Sequence, residues 1–216
     1  MKTLIGIFGA SGFAREVMPL LRAQLDPATE RAVFVDLEGS APINGYEVLD
    51  EASFHAFEGL RRFVVAIADA ELRRCITTKA EAAGAKPFQI RSGSAEVLDN
   101  AEIGPGAILC GHTTVTSNVR IGVGFHLNIY SYVAHDSVIG DYVTFAPHVA
   151  CNGNVVIEDG AYIGTGAVLR QGSPSEPLII GAGAIVGMGA VVLKNVLPGA
   201  TVVGIPAQSV SKRSKG

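Results

Sequence analysis

The sequence predicts two architectures in succession: a small parallel α/β sheet over residues 1–92, then an all-β stack of short strands and tight corners over residues 93–216. Three observations carry this. Strand-like apolar runs alternate with helix-like segments before residue 92. From Val97 to Leu169 a buried-type residue returns every six positions without a miss, through Val115, Val133 and Cys151. The residue four positions after each is usually small or β-branched, as at Ala101, Thr113, Ser131 and Val149. Neither a 3.6-residue helix nor a two-residue strand alternation generates period six. A short strand, a corner and a second short strand do.

The elements follow in order. Leu4 to Phe8 reads as a buried strand, Gly9-Ala10-Ser11-Gly12 as a turn, and residues 14–25 as an apolar-periodic helix. A second strand covers Ala32 to Val35 and ends at Asp36. A third, Phe63 to Ile67, leads into a helix over residues 70–83, and a fourth lies at Pro87 to Ile90. In the hexads, glycines follow the aliphatic position at Gly104, Gly122, Gly140 and Gly164, where a side chain would clash or positive φ is needed. Phe125 is the one large residue at a small position. Leu169 and Ile180 are eleven residues apart rather than twelve, which predicts a loop at about 170–178 ejected from one corner. The period resumes at Ile180, Val186 and Val192. Phe125, Tyr130, Tyr132 and Phe145 predict that one face of the stack is covered.

Composition excludes several classes. With 216 residues and a formal charge of −3, nothing points to nucleic acid or a membrane surface. Lys212, Arg213 and Lys215 read as a solvated tail. The three cysteines lack CxxC spacing, so Cys110 and Cys151 read as small apolar fillers in a reducing cytoplasm. The opening apolar run is too short for a membrane span and carries no signal-peptide pattern.

Two places carry chemistry. The Gly9–Gly12 turn follows a strand and opens a helix, with Asp36 at the end of the next strand. Backbone N–H groups there can meet a phosphate, and the acid a ribose or base. The full three-glycine fingerprint is missing, so a tight turn without ligand is the alternative. The second place is His135-Asp136, at the two outward positions between Val133 and Ser137. Imidazole is the natural general base near neutral pH, and a carboxylate fixes its tautomer. Successive strand residues point to opposite sides, so direct contact needs the bend of a corner. His112 and His126 read as outward rungs and His55 as helix surface, all without a role, while His148 reads as solvent-facing or inter-subunit, with service in place of Thr144 as the alternative.

The hexads resemble those of the hexapeptide-repeat acyltransferases, which implies a left-handed parallel β-helix of triangular section. Nearly the whole chain resembles one subfamily: the sialic acid O-acetyltransferase-like proteins and the N-acetyltransferases of nucleotide-linked 4-amino sugars in the bacillosamine and perosamine pathways. The likeness lies in Ile7-Phe8-Gly9-Ala10-Ser11-Gly12, Phe34-Val35-Asp36, Val65-Ala66-Ile67 leading into Leu72-Arg73-Arg74, Leu127-Asn128, Val133 to Gly140, Gly153-Asn154-Val155 and Val203 to Ala207. It implies an α/β Rossmann-like domain that binds a nucleotide-linked sugar, followed by the β-helix.

The resemblance further implies that His135 is the base and Asp136 its partner, often a glutamate in relatives. Gly9, Ser11, Gly12, Phe13, Asp36 and Asn128 are then expected in substrate binding; Asn128 as a left-handed corner residue is the alternative. Acetyl-CoA would lie between prisms of a homotrimer, along Thr144, Gly153, Gly164, Thr165, Gly187 and Gly189, with no metal. Phe13 and Thr144 stand where many relatives have histidine. The implied reaction is direct, cytoplasmic N-acetylation of an amino sugar on a nucleotide diphosphate, the oxyanion resting on a backbone N–H or on Thr144. Alternatives are O-acetylation of a sialic acid or related sugar, a β-helical nucleotide-sugar sensor without chemistry, and a γ-type carbonic anhydrase, whose zinc histidines this chain does not space correctly.

Overall fold

The computed structural model describes residues 2–210, so the basic tail at Lys212, Arg213 and Lys215 lies outside the described residues. The α/β layer runs β1 (Thr3–Phe8), α1 (Gly12–Arg22), β2 (Glu30–Asp36), β3 (Ser40–Ile43), β4 (Tyr46–Asp50), α2 (Glu51–His55), β5 (Leu60–Val65), α3 (Ala70–Ala82) and β6 (Lys86–Pro87). Its sheet has the order β3-β4-β2-β1-β5-β6, with only the β3–β4 pair antiparallel. Every residue of β1 is buried, as expected of a central parallel strand covered on both sides. Asp50 and Asp69 cap α2 and α3 by accepting from the backbone N–H of Ser53 (2.6 Å) and Leu72 (2.8 Å).

Two features of this layer differ from the sequence reading. The β3–β4 hairpin was not anticipated, although Asn44-Gly45 is its signal: both residues have positive φ (51° and 81°), as a tight two-residue turn requires. The expected strand from Pro87 to Ile90 is divided. β6 closes the α/β sheet, while Ile90–Arg91 pairs with Ile108–Leu109 and begins the second architecture.

From Ile90 the chain winds as a left-handed parallel β-helix with three faces, its ladders pairing residues 18 apart up to the loop that follows Leu169. The first face stacks Ile90–Arg91, Ile108–Leu109, His126–Leu127, Thr144–Phe145, Tyr162–Ile163, Ile185–Val186 and Thr201–Val203. The second includes Thr114–Val115, Tyr132–Val133, Ala150–Cys151 and Val168–Leu169, and the third Arg120–Ile121, Val138–Ile139, Val155–Ile157 and Leu178–Ile180. The six-residue period is thus one face plus one corner. Its aliphatic and small positions both point inward, forming one continuous core from Ala95 to Val202.

The corners explain the glycines differently from their position alone. Positive φ falls on three vertical rows: Asn100, Asn118, Asp136 and Asn154; His112, Tyr130, His148, Gly166 and Gly189; and Gly106, Gly124, Tyr142, Gly160 and Gly183. Gly104, Gly140 and Gly164 belong to none of these. A Cβ on each would sit 2.5–2.7 Å from backbone or carboxylate atoms of the next coil, so close approach is their reason. The loop predicted at about 170–178 is present. Leu178 pairs with Val155, 23 residues earlier, so the ladder resumes in register after a five-residue excursion.

The aromatic residues correct another expectation. Phe125 and Phe145 do not mark a covered face; both point into the prism and meet edge to face at 5.2 Å. Tyr130 lies at a corner, stacked between His112 and His148. The face that is covered carries Ile90, Ile108, His126 and Thr144. The α/β layer docks on it, and Phe88, Ile90, Ile108 and Cys110 join Ile5, Ile7, Val17 and Leu21 in one cluster. Cys110 therefore fills the junction and Cys151 the prism, and burial pushes both thiols up to about 12.

Candidate active site

The vertex between the second and third faces holds His135 and Asp136. Asp136 adopts φ 58°, which turns its side chain back toward the preceding residue. His135 Nδ1 and Asp136 Oδ2 lie 2.7 Å apart, both side chains about half exposed at 48 % and 47 %. This is the corner bend that direct contact demanded. With a carboxylate accepting at Nδ1, that nitrogen carries the proton and Nε2 is left as the basic atom. Asn118 Nδ2 donates to Asp136 Oδ1 at 3.3 Å, and Asn100 Nδ2 donates to Asn118 Oδ1 at 3.3 Å. The hydrogen bond with His135 holds the Asp136 carboxyl below its ordinary value, and the one from Asn118 adds to it.

Gly153, one coil further on, is the seat of the imidazole. A Cβ there would lie 2.5 Å from Cε1 and 2.6 Å from Nε2 of His135. The ring occupies space that a side chain at position 153 would fill. Gly153 entered as a cofactor residue; its direct partner in the chain is the histidine. The loop at 171–177 leaves the same vertex one coil later, with Gly172 N donating to Gly153 O at 2.9 Å.

The other expected residues gather elsewhere. Gly12, Phe13, Asn128 and Thr144 line one crevice of about 290 Å³, together with Glu16, Ala68, His126 and Tyr162. It opens where the α/β layer stops covering the first face: Thr144 is 4 % exposed and Tyr162, one coil on, 37 %. Gly12 is the first residue of α1, with open space where its Cβ would be and no acid in the first turn. Ser11 precedes it as an N-cap whose side chain makes no capping bond. Gly9 has φ 101° and donates to Val35 O at 2.8 Å, which makes it a requirement of the turn. Asp36 is exposed at the end of β2, where its Oδ1 accepts from Leu37 N at 2.8 Å. Asn128 is not a left-handed corner residue; its side chain donates to Phe145 O at 2.6 Å. Thr165 and Gly189 lie at the vertex between the first and second faces, near Gly164 and Gly187, and Gly189 N donates to Thr165 O at 2.8 Å.

Two residues without an assigned role stand at the crevice: His126 on its lining and Arg73 behind it. His126 is an outward rung, as read from the sequence, yet it is fully buried beneath the α/β layer. Its Nε2 is 2.8 Å from Val65 O, and its ring packs against Phe13 at 5.1 Å. Burial holds it well below the ordinary histidine value, and the charge of Arg73 adds to this, so it stays neutral. Arg73 is 1 % exposed and bridges the two architectures: Nη1 donates to Ile67 O (2.6 Å) and Ala68 O (3.2 Å), and Nη2 to Thr144 Oγ1 (3.0 Å) and Tyr142 O. The only sequence signal was its place in Leu72-Arg73-Arg74, where an arginine on a helix reads as surface. His55 is half-buried against Phe8 and Phe54 rather than free on a helix surface. No group of three or more His, Cys, Asp or Glu side chains disposed to hold a metal occurs among the described residues. None of their helices is long and apolar enough to cross a membrane.

Comparisons with known proteins agree with this layout. Residues 4–80 match the PglD N-terminal domain family. The chain is 48 % identical over 214 residues to a GDP-perosamine N-acetyltransferase from Escherichia coli O157:H7, covering 97 % of each. It superposes on WeeI from Acinetobacter baumannii AYE with TM-score 0.92 at 50 % identity, covering 97 % of this chain and 100 % of that one. PerB from Caulobacter crescentus, solved with CoA and GDP-perosamine, gives TM-score 0.86 at 26 % identity over 98 % of both chains. With near-complete coverage at 48 % identity, the chain belongs to the sugar N-acetyltransferase family of these proteins.

Proposed function

We propose that this protein transfers the acetyl group of acetyl-CoA to the amino group of a GDP-linked 4-amino sugar of the perosamine type, with His135 as general base. The His135–Asp136 pair carries this reading. His135 Nε2 removes the proton from the acceptor ammonium or amine as nitrogen attacks the thioester carbonyl. The tetrahedral intermediate collapses, the C–S bond breaks, and CoA leaves as thiolate and takes up a proton. Asp136 holds the tautomer and stabilises the imidazolium. The thiols of Cys110 and Cys151 are buried and pushed up to about 12, which makes neither a ready acyl carrier and favours direct transfer over an acyl-enzyme.

The prism's topology supports a composite site. The His135 vertex joins the second and third faces, which is the corner opposite the first face where the α/β layer and its crevice sit. One chain therefore keeps its nucleotide-binding candidates and its base apart, and a homotrimer would bring one protomer's crevice to its neighbour's vertex. Gly164, Thr165, Gly187 and Gly189 would line the acetyl-CoA groove on that contact. The reading places the enzyme in the cytoplasm, in surface-glycan synthesis, where acetyl-CoA and nucleotide sugars are both present.

The test is release of free thiol from acetyl-CoA with GDP-perosamine as acceptor, the product being identified by mass. Thiol release that does not depend on the amino sugar would overturn the proposal. Sedimentation of the enzyme as a monomer at assay concentration would remove the composite site.

A further inference from the structure

Arg73 is the largest fully buried side chain among the described residues, and no carboxylate forms an ion pair with it there. Asp69, the N-cap just before α3, accepts from Leu72 N, and its charge acts on Arg73 without a direct contact. All the neighbours of the two Nη atoms are neutral acceptors: carbonyl oxygens of Ile67, Ala68, Tyr142 and Val143, the Thr144 hydroxyl, and His126 Nδ1 at 3.4 Å. Nε is buried without a partner. A buried charge with no carboxylate in contact is costly. Three of its contacts, Ala68, His126 and Thr144, are themselves lining residues of the crevice. The charge thus sits one residue behind the crevice wall, in a low-dielectric setting where its field is weakly screened. The free N-terminus of α1 adds positive potential at Gly12, and Glu16 is the one carboxylate on the lining.

We propose that Arg73 is a positioning residue of the acceptor crevice: it clamps the Ile67–Ala68 wall to the coil bearing Thr144 and supplies the positive potential that selects a diphosphate group there. This rests on the nucleotide-sugar reading above and deepens it. It also assigns Thr144 to the acceptor side, held by Arg73, rather than to the thioester. The charge does not touch the reacting atoms, so its influence falls on acceptor binding and leaves the chemical step and donor binding intact.

The experiment compares GDP with guanosine, and UDP with uridine, by calorimetry on the intact wild-type protein and on Arg73→Met, Arg73→Lys and Thr144→Val. The ratio of diphosphate to nucleoside affinity isolates the charge, because a merely distorted pocket weakens both ligands alike. Arg73→Met is expected to shrink that ratio by about tenfold or more, the size of losing one charge-assisted interaction. Arg73→Lys, which keeps the charge, should hold it within about threefold of wild type. Acetyl-CoA affinity should be unchanged in both. An unchanged ratio in Arg73→Met, or a lysine variant no better than the methionine one, overturns the proposal. Thr144→Val removes one acceptor without orphaning a carbonyl and is expected to fold even if Arg73→Met does not. It should raise the KM for the nucleotide sugar severalfold and leave that for acetyl-CoA alone. The opposite split would return Thr144 to the donor site and overturn the assignment. Absence of wild-type turnover with GDP-perosamine would defeat the functional reading, while the diphosphate ratio would still judge Arg73.

Discussion

His126 and His135 stand nine positions apart on the same solenoid and have opposite electrostatic surroundings. His135 stands at a vertex, half exposed, with a carboxylate on Nδ1 and bare glycine backbone under its ring. His126 stands on a face, fully buried, with a carbonyl on Nε2 and a guanidinium beside Nδ1. Burial, and then the neighbouring cation, hold His126 well below the ordinary histidine value. The residue type is shared; burial and Arg73 keep the His126 ring neutral, and the proposed base is the exposed one at the vertex. A histidine in this fold is therefore read by its position on the coil, vertex or face, and by what docks there.

This contrast can be broken experimentally. The largest effect is expected at the vertex: His135→Ala should lower kcat by about a hundredfold or more, the low end of general-base contributions, with KM for acetyl-CoA little changed. Equivalent loss in His126→Ala without loss of stability would reverse the assignment of roles. Gly153→Ala tests the seat. Its methyl would collide with the imidazole, and a reduction in kcat of roughly twentyfold is expected from misplacing the base, with the fold retained in circular dichroism.

Stability against pH distinguishes the two rings next. The unfolded chain protonates His126 at about 6.5, while the folded chain resists it, so stability falls as pH drops below that value, by about 1.4 kcal/mol per unit for one proton. The loss continues until the depressed folded value is reached. His55, lowered mainly by burial, acts in the same direction. Urea unfolding of His126→Gln across pH 7 to 5 should show a slope shallower by one proton. The smallest effect is expected for Asp136→Asn, about three- to tenfold in kcat, because an exposed hydrogen-bonded pair is partly screened. That pair persists in acid until the depressed carboxyl of Asp136 is itself protonated, below its ordinary value.

The prism was legible because its interior repeats. Val97, Val115, Val133 and Cys151 pack one above another, and each coil imposes the same demand on the next. His135-Asp136 was legible for the same reason: once the period is known, the two residues outside it must point outward. What stayed hidden depends on docking between elements distant in sequence. Phe125 looks like a surface aromatic because the hexad expects a small residue there, yet it fills the interior beside Phe145, which holds one of the inward positions of the period. Arg73 carries no local sign of burial, since the carbonyls that accept from it come from Ile67 and Ala68 on one side and from Tyr142 and Val143 on the other. The Asn44-Gly45 turn was a local signal passed over, and the strand at Pro87 to Ile90 was divided because two sheets share its residues.

The five-residue excursion near Ser173 has a practical side. Its two ends meet as if nothing intervened, Gly172 bonding Gly153 and Leu178 bonding Asn154 across the row above. Lengthening a closed surface loop costs little, since the entropy grows only with the logarithm of its length. A foreign peptide spliced between Pro174 and Ser175 should therefore leave the ladder undisturbed while hanging directly over the imidazole's glycine cushion. For anyone wishing to redirect this enzyme to a bulkier acyl group or sugar, that splice point is the place to diversify, because it reaches the proposed base without touching the scaffold.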